Sequence, residues 1–157
     1  GSLLTAILKR HSQMRGVLFD LPRVVDRARQ AMESAGLLER CRLVGGSFLE
    51  SVPAGGDAYL LRHVVHDWRD EDAAIILRTC RNAMKPDGKI LVVEIVVPAG
   101  NEPSFAKWMD LMMVTYGGKE RSEKQYRELF LQAGLRLTRI VPTKAGISVV
   151  EGVRSDS

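Results

Sequence analysis

The 157-residue sequence predicts an α/β fold, an open, doubly wound and mostly parallel sheet with an antiparallel final strand. Three observations lead there. Apolar runs of strand length alternate with amphipathic runs of helix length along nearly the whole chain. Turn residues separate them, at Gly36, at Gly45-Gly46, at Pro86-Asp87-Gly88 and at Gly134. The last two strand candidates are joined by a short connection, whereas a parallel crossover needs about a dozen residues or more, so the final strand should run antiparallel to its neighbour.

Leu3 to Arg10 reads as a helix because Leu3, Leu4, Ile7 and Leu8 fall on one face. Val17 to Phe19 is a short apolar strand running into Asp20-Leu21-Pro22. Pro22 cannot continue a strand but suits the first turn of a helix. That helix extends to about Ala35, where Gly36 stops it. Cys41 to Val44 is a second strand, ending in Gly45-Gly46-Ser47. Asp57 to Leu61 is a third, running into Arg62-His63-Val64-Val65-His66-Asp67-Trp68. A helix over about Glu71 to Met84 closes at the turn Lys85-Pro86-Asp87-Gly88. Lys89 to Val97 is the most apolar strand, and Ser104 to Tyr116 is Met-rich and helical. Gly117 to Ser122 reads as a solvated, glycine-rich turn with three adjacent charges. It enters a helix that runs to Ala133, with Ser122 as N-cap and Gly134 as stop. Leu135 to Val141 and Ile147 to Val153 form a terminal strand pair.

Composition bounds the function. Hydrophobic residues at 45% and charged residues at 27% describe a globular chain and exclude disorder or coiled coil as its main character. The length suits one domain, 1–157. No apolar run approaches the roughly 20 residues of a membrane span, and none reads as a signal peptide. The net charge of +4 is scattered, with no basic run interleaved with aromatics, so neither nucleic acid nor membrane is an expected partner. Cys41 and Cys80 lie far apart, with no CxxC and no histidine at metal-ligand spacing. They read as free thiols of a reducing, cytoplasmic compartment, and no metal site is expected.

In such sheets ligands bind beyond the carboxyl ends of the strands. Asp20, Ser47, Arg62 to His66 and Glu94 to Val97 lie there. The carboxylate of Asp20 suits the two hydroxyls of a ribose, or else caps the helix before Pro22. Glu94 interrupts an apolar strand, where a carboxylate costs several kcal/mol unless paired; it faces a cleft or forms a structural ion pair. His66 is a natural general base near neutral pH, or a loop histidine that starts the next helix, with Glu94 and Glu120 as candidate partners for its ring. Trp108, Met109, Met112 and Met113 form a stripe that suits a flat aromatic ligand or a core.

Several motifs then line up in order: Val17-Leu18-Phe19-Asp20-Leu21-Pro22, Gly45-Gly46-Ser47-Phe48, His66-Asp67-Trp68, Pro86-Asp87-Gly88-Lys89, Val93-Glu94 and Gly117-Gly118-Lys119-Glu120-Arg121. Together they resemble the S-adenosylmethionine-dependent O-methyltransferases, the type that includes plant caffeate and flavonoid enzymes, acetylserotonin O-methyltransferase and bacterial enzymes of secondary metabolism. The resemblance runs from about Leu3 to Val153. It implies a Rossmann-like class I methyltransferase fold and methyl transfer to a hydroxyl of a small aromatic metabolite, without a metal.

The resemblance also implies roles. Asp20 matches the acid that holds the cofactor ribose, and Phe48 keeps the apolar contact to adenine. Ser47 replaces an acid that usually meets the adenine amino group, which would weaken that contact. Arg62 stands where a lysine often touches the cofactor. His66 matches the general base, bracketed by Glu94 and Glu120. Met109, Met112 and Met113, with Trp68 nearby, match the acceptor pocket. Measured against the family pattern, the sequence lacks the first strand and most of the glycine-rich loop, and also the helical domain that in the family provides dimerisation and part of the acceptor pocket. The sequence therefore reads as a partial domain of a homodimeric enzyme, and the strands at Val17 and Asp57 should lack a ladder partner between them. Two alternatives stand beside this reading: a nicotinamide-dependent oxidoreductase, which Asp20 would serve equally well, and a non-catalytic binding or assembly domain on the same fold.

Overall fold

The computed structural model describes residues 1–155, and these form two compact units, Gly1–Pro53 and a second from Ala54 onward. The first unit contains α1 (Ser2–Arg10), β1 (Gly16–Asp20), α2 (Pro22–Ser34) and β2 (Cys41–Gly45). β1 and β2 pair in parallel from Gly16 opposite Cys41 to Asp20 opposite Gly45. Leu8, Met32, Leu37 and Cys41 are buried together, with Leu4, Leu18 and Leu43 packed against them. The apolar face read from Leu4 and Leu8 thus meets both helix α2 and the strands. The end of α1 leaves carbonyls without helical partners. Arg40 supplies donors there, to Leu8 O at 2.9 Å and to Ser12 O and Met14 O at 3.1 Å.

The second unit runs β3 (Ala58–Arg62), a 3₁₀ turn (Val65–Asp67), α3 (Asp70–Ala83), β4 (Lys89–Glu94), β5 (Val96–Val97), α4 (Phe105–Thr115), β6 (Arg121–Ser122), α5 (Glu123–Gln132), β7 (Leu135–Pro142) and β8 (Ser148–Arg154). Its main sheet has the order β3-β4-β8-β7. β3 and β4 are parallel, and β8 is antiparallel to both β4 and β7, as the short connection requires. Ile76 and Leu77 of α3, Ile90 and Val92 of β4, Leu129 and Phe130 of α5, and Val150 of β8 are all buried in its core.

Two features depart from the sequence reading. The long apolar strand breaks at Ile95, because Val96 and Val97 leave the main sheet and pair in parallel with Arg121 and Ser122. The segment before α5 is accordingly not a solvated turn: Gly118, Glu120 and Arg121 are buried. Ser122 does cap α5, in a reciprocal capping box with Gln125. Among the described residues β1 pairs only with β2 and β3 only with β4, so each keeps one edge without a ladder partner.

Candidate active site

The carboxyl end of β3 delivers the chain into a tight turn. His63 there has φ +50°, the one non-glycine residue with positive φ among those described. The 3₁₀ turn then presents His66, whose ring is half-buried. Glu94, at the carboxyl end of β4 and fully buried, supports this turn from below. Its Oε1 accepts the backbone N–H groups of Val64, Val65 and His66 at 3.0, 2.7 and 3.2 Å. Its Oε2 accepts the Tyr126 hydroxyl at 2.6 Å. Four donors satisfy this carboxylate, which is how a charge survives in an apolar strand. Glu94 thus reaches His66 through the backbone and not through the ring.

Glu120 is the residue on the ring: His66 Nδ1 lies 3.0 Å from its Oε1. Glu120 is itself 2% exposed, and Asp110 Oδ1 accepts its backbone N–H at 2.9 Å. The hydrogen bond to Glu120 raises the His66 pKa above its ordinary 6.5, burial opposes this, and the charges of Glu94, Glu120 and Asp67 add to the rise. Nε2 is 3.6 Å from Asp67 Oδ1, beyond hydrogen-bond length, so this nitrogen is open to a donor from elsewhere. The His63 ring stands 5.2 Å from the His66 ring.

The segment Gly118–Arg121 wraps the same turn. Lys119 N–H donates to His66 O at 2.8 Å. Gly118 is obligatory, because a Cβ would collide with the His66 carbonyl oxygen and come within 2.9 Å of Met113 Cε. Arg121 donates to Val65 O at 3.0 Å, to Trp68 O at 2.8 Å and to Asp70 Oδ1 at 2.9 Å. Lys119 Nζ joins Asp70 at 2.6 Å. These two cations hold the Asp70 carboxyl below its ordinary range against the cost of its partial burial.

The other expected site residues fall as follows. In the first unit Asp20 lies at the carboxyl end of β1. Its Oδ1 accepts the N–H of the next residue, Leu21, at 2.7 Å, and it does not cap α2. Ser47 and Phe48 are half-buried and open the turn that follows β2. Gly46 packs flat on the Phe19 ring, where a Cβ would sit 2.7 Å from the nearest ring atom. In the second unit Arg62 is exposed at the end of β3, and Trp68 closes the His66 turn. Met113 is buried, Met109 half-buried and Met112 exposed on α4. Sequence reasoning missed Tyr126, Arg121 and Asp70. The arginine follows directly on Glu120, but nothing in the residue pattern marks it as buried.

Known proteins decide what this arrangement belongs to. The model of the O-methyltransferase domain matches residues 1–136. The chain belongs to that family. It is 47% identical over 152 residues to the phenazine O-methyltransferase PhzM of Lysobacter antibioticus, covering 96% of this chain and 45% of that protein. The crystal structure of LaPhzM superposes with a TM-score of 0.93 at 45% identity, over 98% of this chain and 47% of the other. The neocarzinostatin-pathway O-methyltransferase NcsB1, solved with S-adenosylmethionine and 2-hydroxy-5-methyl naphthoic acid, superposes with a TM-score of 0.89 at 40% identity, covering 98% and 46%. The chain thus spans about half the length of the curated relatives it matches. The α/β fold is that of an O-methyltransferase domain with a Rossmann-like sheet. Nothing in these comparisons favours a nicotinamide-dependent oxidoreductase.

Proposed function

We propose that the protein carrying this chain transfers the methyl group of S-adenosylmethionine to a hydroxyl of a small aromatic metabolite, with His66 as general base. The observation that carries this reading is the 3.0 Å contact of His66 Nδ1 with buried Glu120. With the carboxylate accepting, Nδ1 is the protonated nitrogen and Nε2 keeps the lone pair. Nε2 then takes the proton of the acceptor hydroxyl. A phenol with a pKa near 10 is a poor nucleophile at neutral pH, and a base within reach typically contributes about 10²–10⁴-fold. The proton that arrives on Nε2 creates an imidazolium, which Glu120 stabilises from the other side of the ring.

The residues of the first unit fit the cofactor by their chemistry. Of the two Asp20 carboxylate oxygens, only Oδ1 accepts a hydrogen bond from the described residues, which leaves Oδ2 suited to a ribose hydroxyl. Phe48 offers an apolar face for adenine, and Ser47 a single neutral oxygen for its amino group. Arg62 of the second unit offers a cation at a strand end. When bound, S-adenosylmethionine supplies an already electrophilic methyl group on sulfonium, so the chemistry calls for no metal. Met109, Met112, Met113 and Trp68 are assigned to the acceptor. Relatives named for phenazine, mitomycin and naphthoate substrates support an aromatic acceptor.

The family match runs through both compact units, which supports one methyltransferase domain made of the two. A homodimer and a cytoplasmic location complete the proposal; both cysteines are free and buried, which fits a reducing compartment. Among the described residues no helix is long and apolar enough to cross a membrane. His66→Ala in the full-length protein tests the proposal, with methyl transfer to hydroxylated naphthoates and phenazines as the assay. Activity should fall about 10²–10⁴-fold while S-adenosylhomocysteine binding is kept. Full activity in that variant would remove His66 from the chemistry.

A further inference from the structure

We propose that Arg121 is the positioning residue for His66, setting the imidazole against Glu120 by clamping the carbonyl side of the turn that carries it. This rests on the reading of His66 as the base. The turn is held from two sides. Glu94 gathers its three amide groups on one oxygen, and Arg121 donates through both terminal nitrogens to Val65 O and Trp68 O, the carbonyls on either side of His66-Asp67. Arg121 is 0% exposed, so its charge is not there for solubility. Its Nε and one terminal nitrogen also bind Asp70, which fixes the plane of the guanidinium at 2.9 and 2.8 Å. Only a planar fork reaches three acceptors in this way; a lysine ammonium is a point charge on a flexible stem.

Chain connectivity points the same way. Arg121 adjoins Glu120, and its strand β6 is paired with Val96, two residues beyond Glu94. The acceptor of the His66 ring proton and the clamp on the His66 backbone are therefore neighbours on one chain segment. A slip of about 1 Å between turn and segment would break the 3.0 Å contact, and misplacements of that size can cost about 10²-fold in rate.

The groups facing the imidazole are Glu120, Glu94, Asp67 and the His63 ring, with Arg121 and Lys119 behind the backbone of the turn. Two roles for Arg121 then shift the histidine in opposite directions. If Arg121 acted on His66 only as a nearby positive charge, removing it would raise the histidine's titration midpoint. If Arg121 positions the ring on Glu120, removing it lowers the midpoint towards 6.5.

The experiment is Arg121→Met and Arg121→Lys in the full-length protein, with the His66 ring followed by NMR across pH and kcat and KM measured alongside. Methionine fills similar space, and the partner left behind, Asp70, is 41% exposed and still paired with Lys119. We expect a lowered His66 midpoint in both variants and kcat reduced about 10- to 100-fold, with acceptor KM and S-adenosylhomocysteine affinity within about twofold of the parent. An unmoved or raised midpoint in Arg121→Met overturns the proposal. Should that variant not fold, Arg121→Lys keeps the charge without the fork and is read in the same way: a lowered midpoint supports the clamp, and an unmoved or raised one overturns it. Failure of the base assignment is separate: it shows as activity retained in His66→Ala, whereas the midpoint in the Arg121 variants reads the clamp whatever the chemistry.

Discussion

Replacing Gly118 by alanine is the smallest change that should disable the site. The added Cβ would overlap the His66 carbonyl oxygen, sit 2.9 Å from Met113 Cε and lie 3.1 Å from Asp67 Cα. An ordinary C···O contact is about 3.3 Å or more, so turn and segment must separate by about 1 Å. Two of the three neighbours belong to the His66 turn itself, pinned by Glu94 and Arg121, so the separation cannot be absorbed by a flexible side chain. The 2.8 Å bond from Lys119 N–H to His66 O is lost, and Glu120 retreats from Nδ1. Overpacking costs about 1–3 kcal/mol and the broken backbone bond about 1 kcal/mol, giving about 2–4 kcal/mol of stability. Catalysis should drop about 10²-fold through misplacement of the base. Urea titration and methyl-transfer kinetics on the same preparation measure both. A variant with parental stability and kcat would mean that the segment does not seat His66 at all.

The geometry around His66 also governs the response to pH and to loss of the Tyr126 hydroxyl, while burial governs the response to thiol reagents. Because Glu120 raises the folded-state pKa of His66, that contact adds stability in full below 6.5 and loses it as pH rises through the elevated value; Glu120→Gln should therefore flatten the denaturation midpoint across this range, and an unchanged pH profile would contradict the coupling. The methyl-transfer rate should rise with pH over the same interval, and Glu120→Gln should move that rise to lower pH. Tyr126→Phe strips the 2.6 Å donor from a fully buried carboxylate oxygen and should cost about 1–3 kcal/mol, read as a lower Tm; a neutral result would mean that water replaces the hydroxyl. Burial pushes the Cys80 thiol up to about 12 and also raises Cys41, so neither should react with a thiol reagent near neutral pH until the protein is unfolded, and rapid labelling of the native protein would show that one of them is accessible.

Much of this molecule is legible in the chain alone. Helix faces such as Leu3-Leu4-Ile7-Leu8, the strand alternation, Pro22 at a helix start and Ser122 at another are local facts, governed by periodicity and capping over a few residues. So is the antiparallel last strand, which follows from the length of one connection. The ordered motifs from Asp20 to Arg121 likewise point to the family without any coordinates. What the chain alone does not determine is who touches whom across 25 to 56 residues. Glu94 and Glu120 look equivalent in sequence, yet one grips the backbone of the His66 turn and the other its ring. Arg121 reads as one more charge in a solvated turn and is instead fully buried against two carbonyls. The break at Ile95 and the pairing of Val96 with Arg121 bring that about. Hydrogen bonds to a backbone carbonyl leave no residue-type signature on the acceptor, so only the tertiary structure decides them.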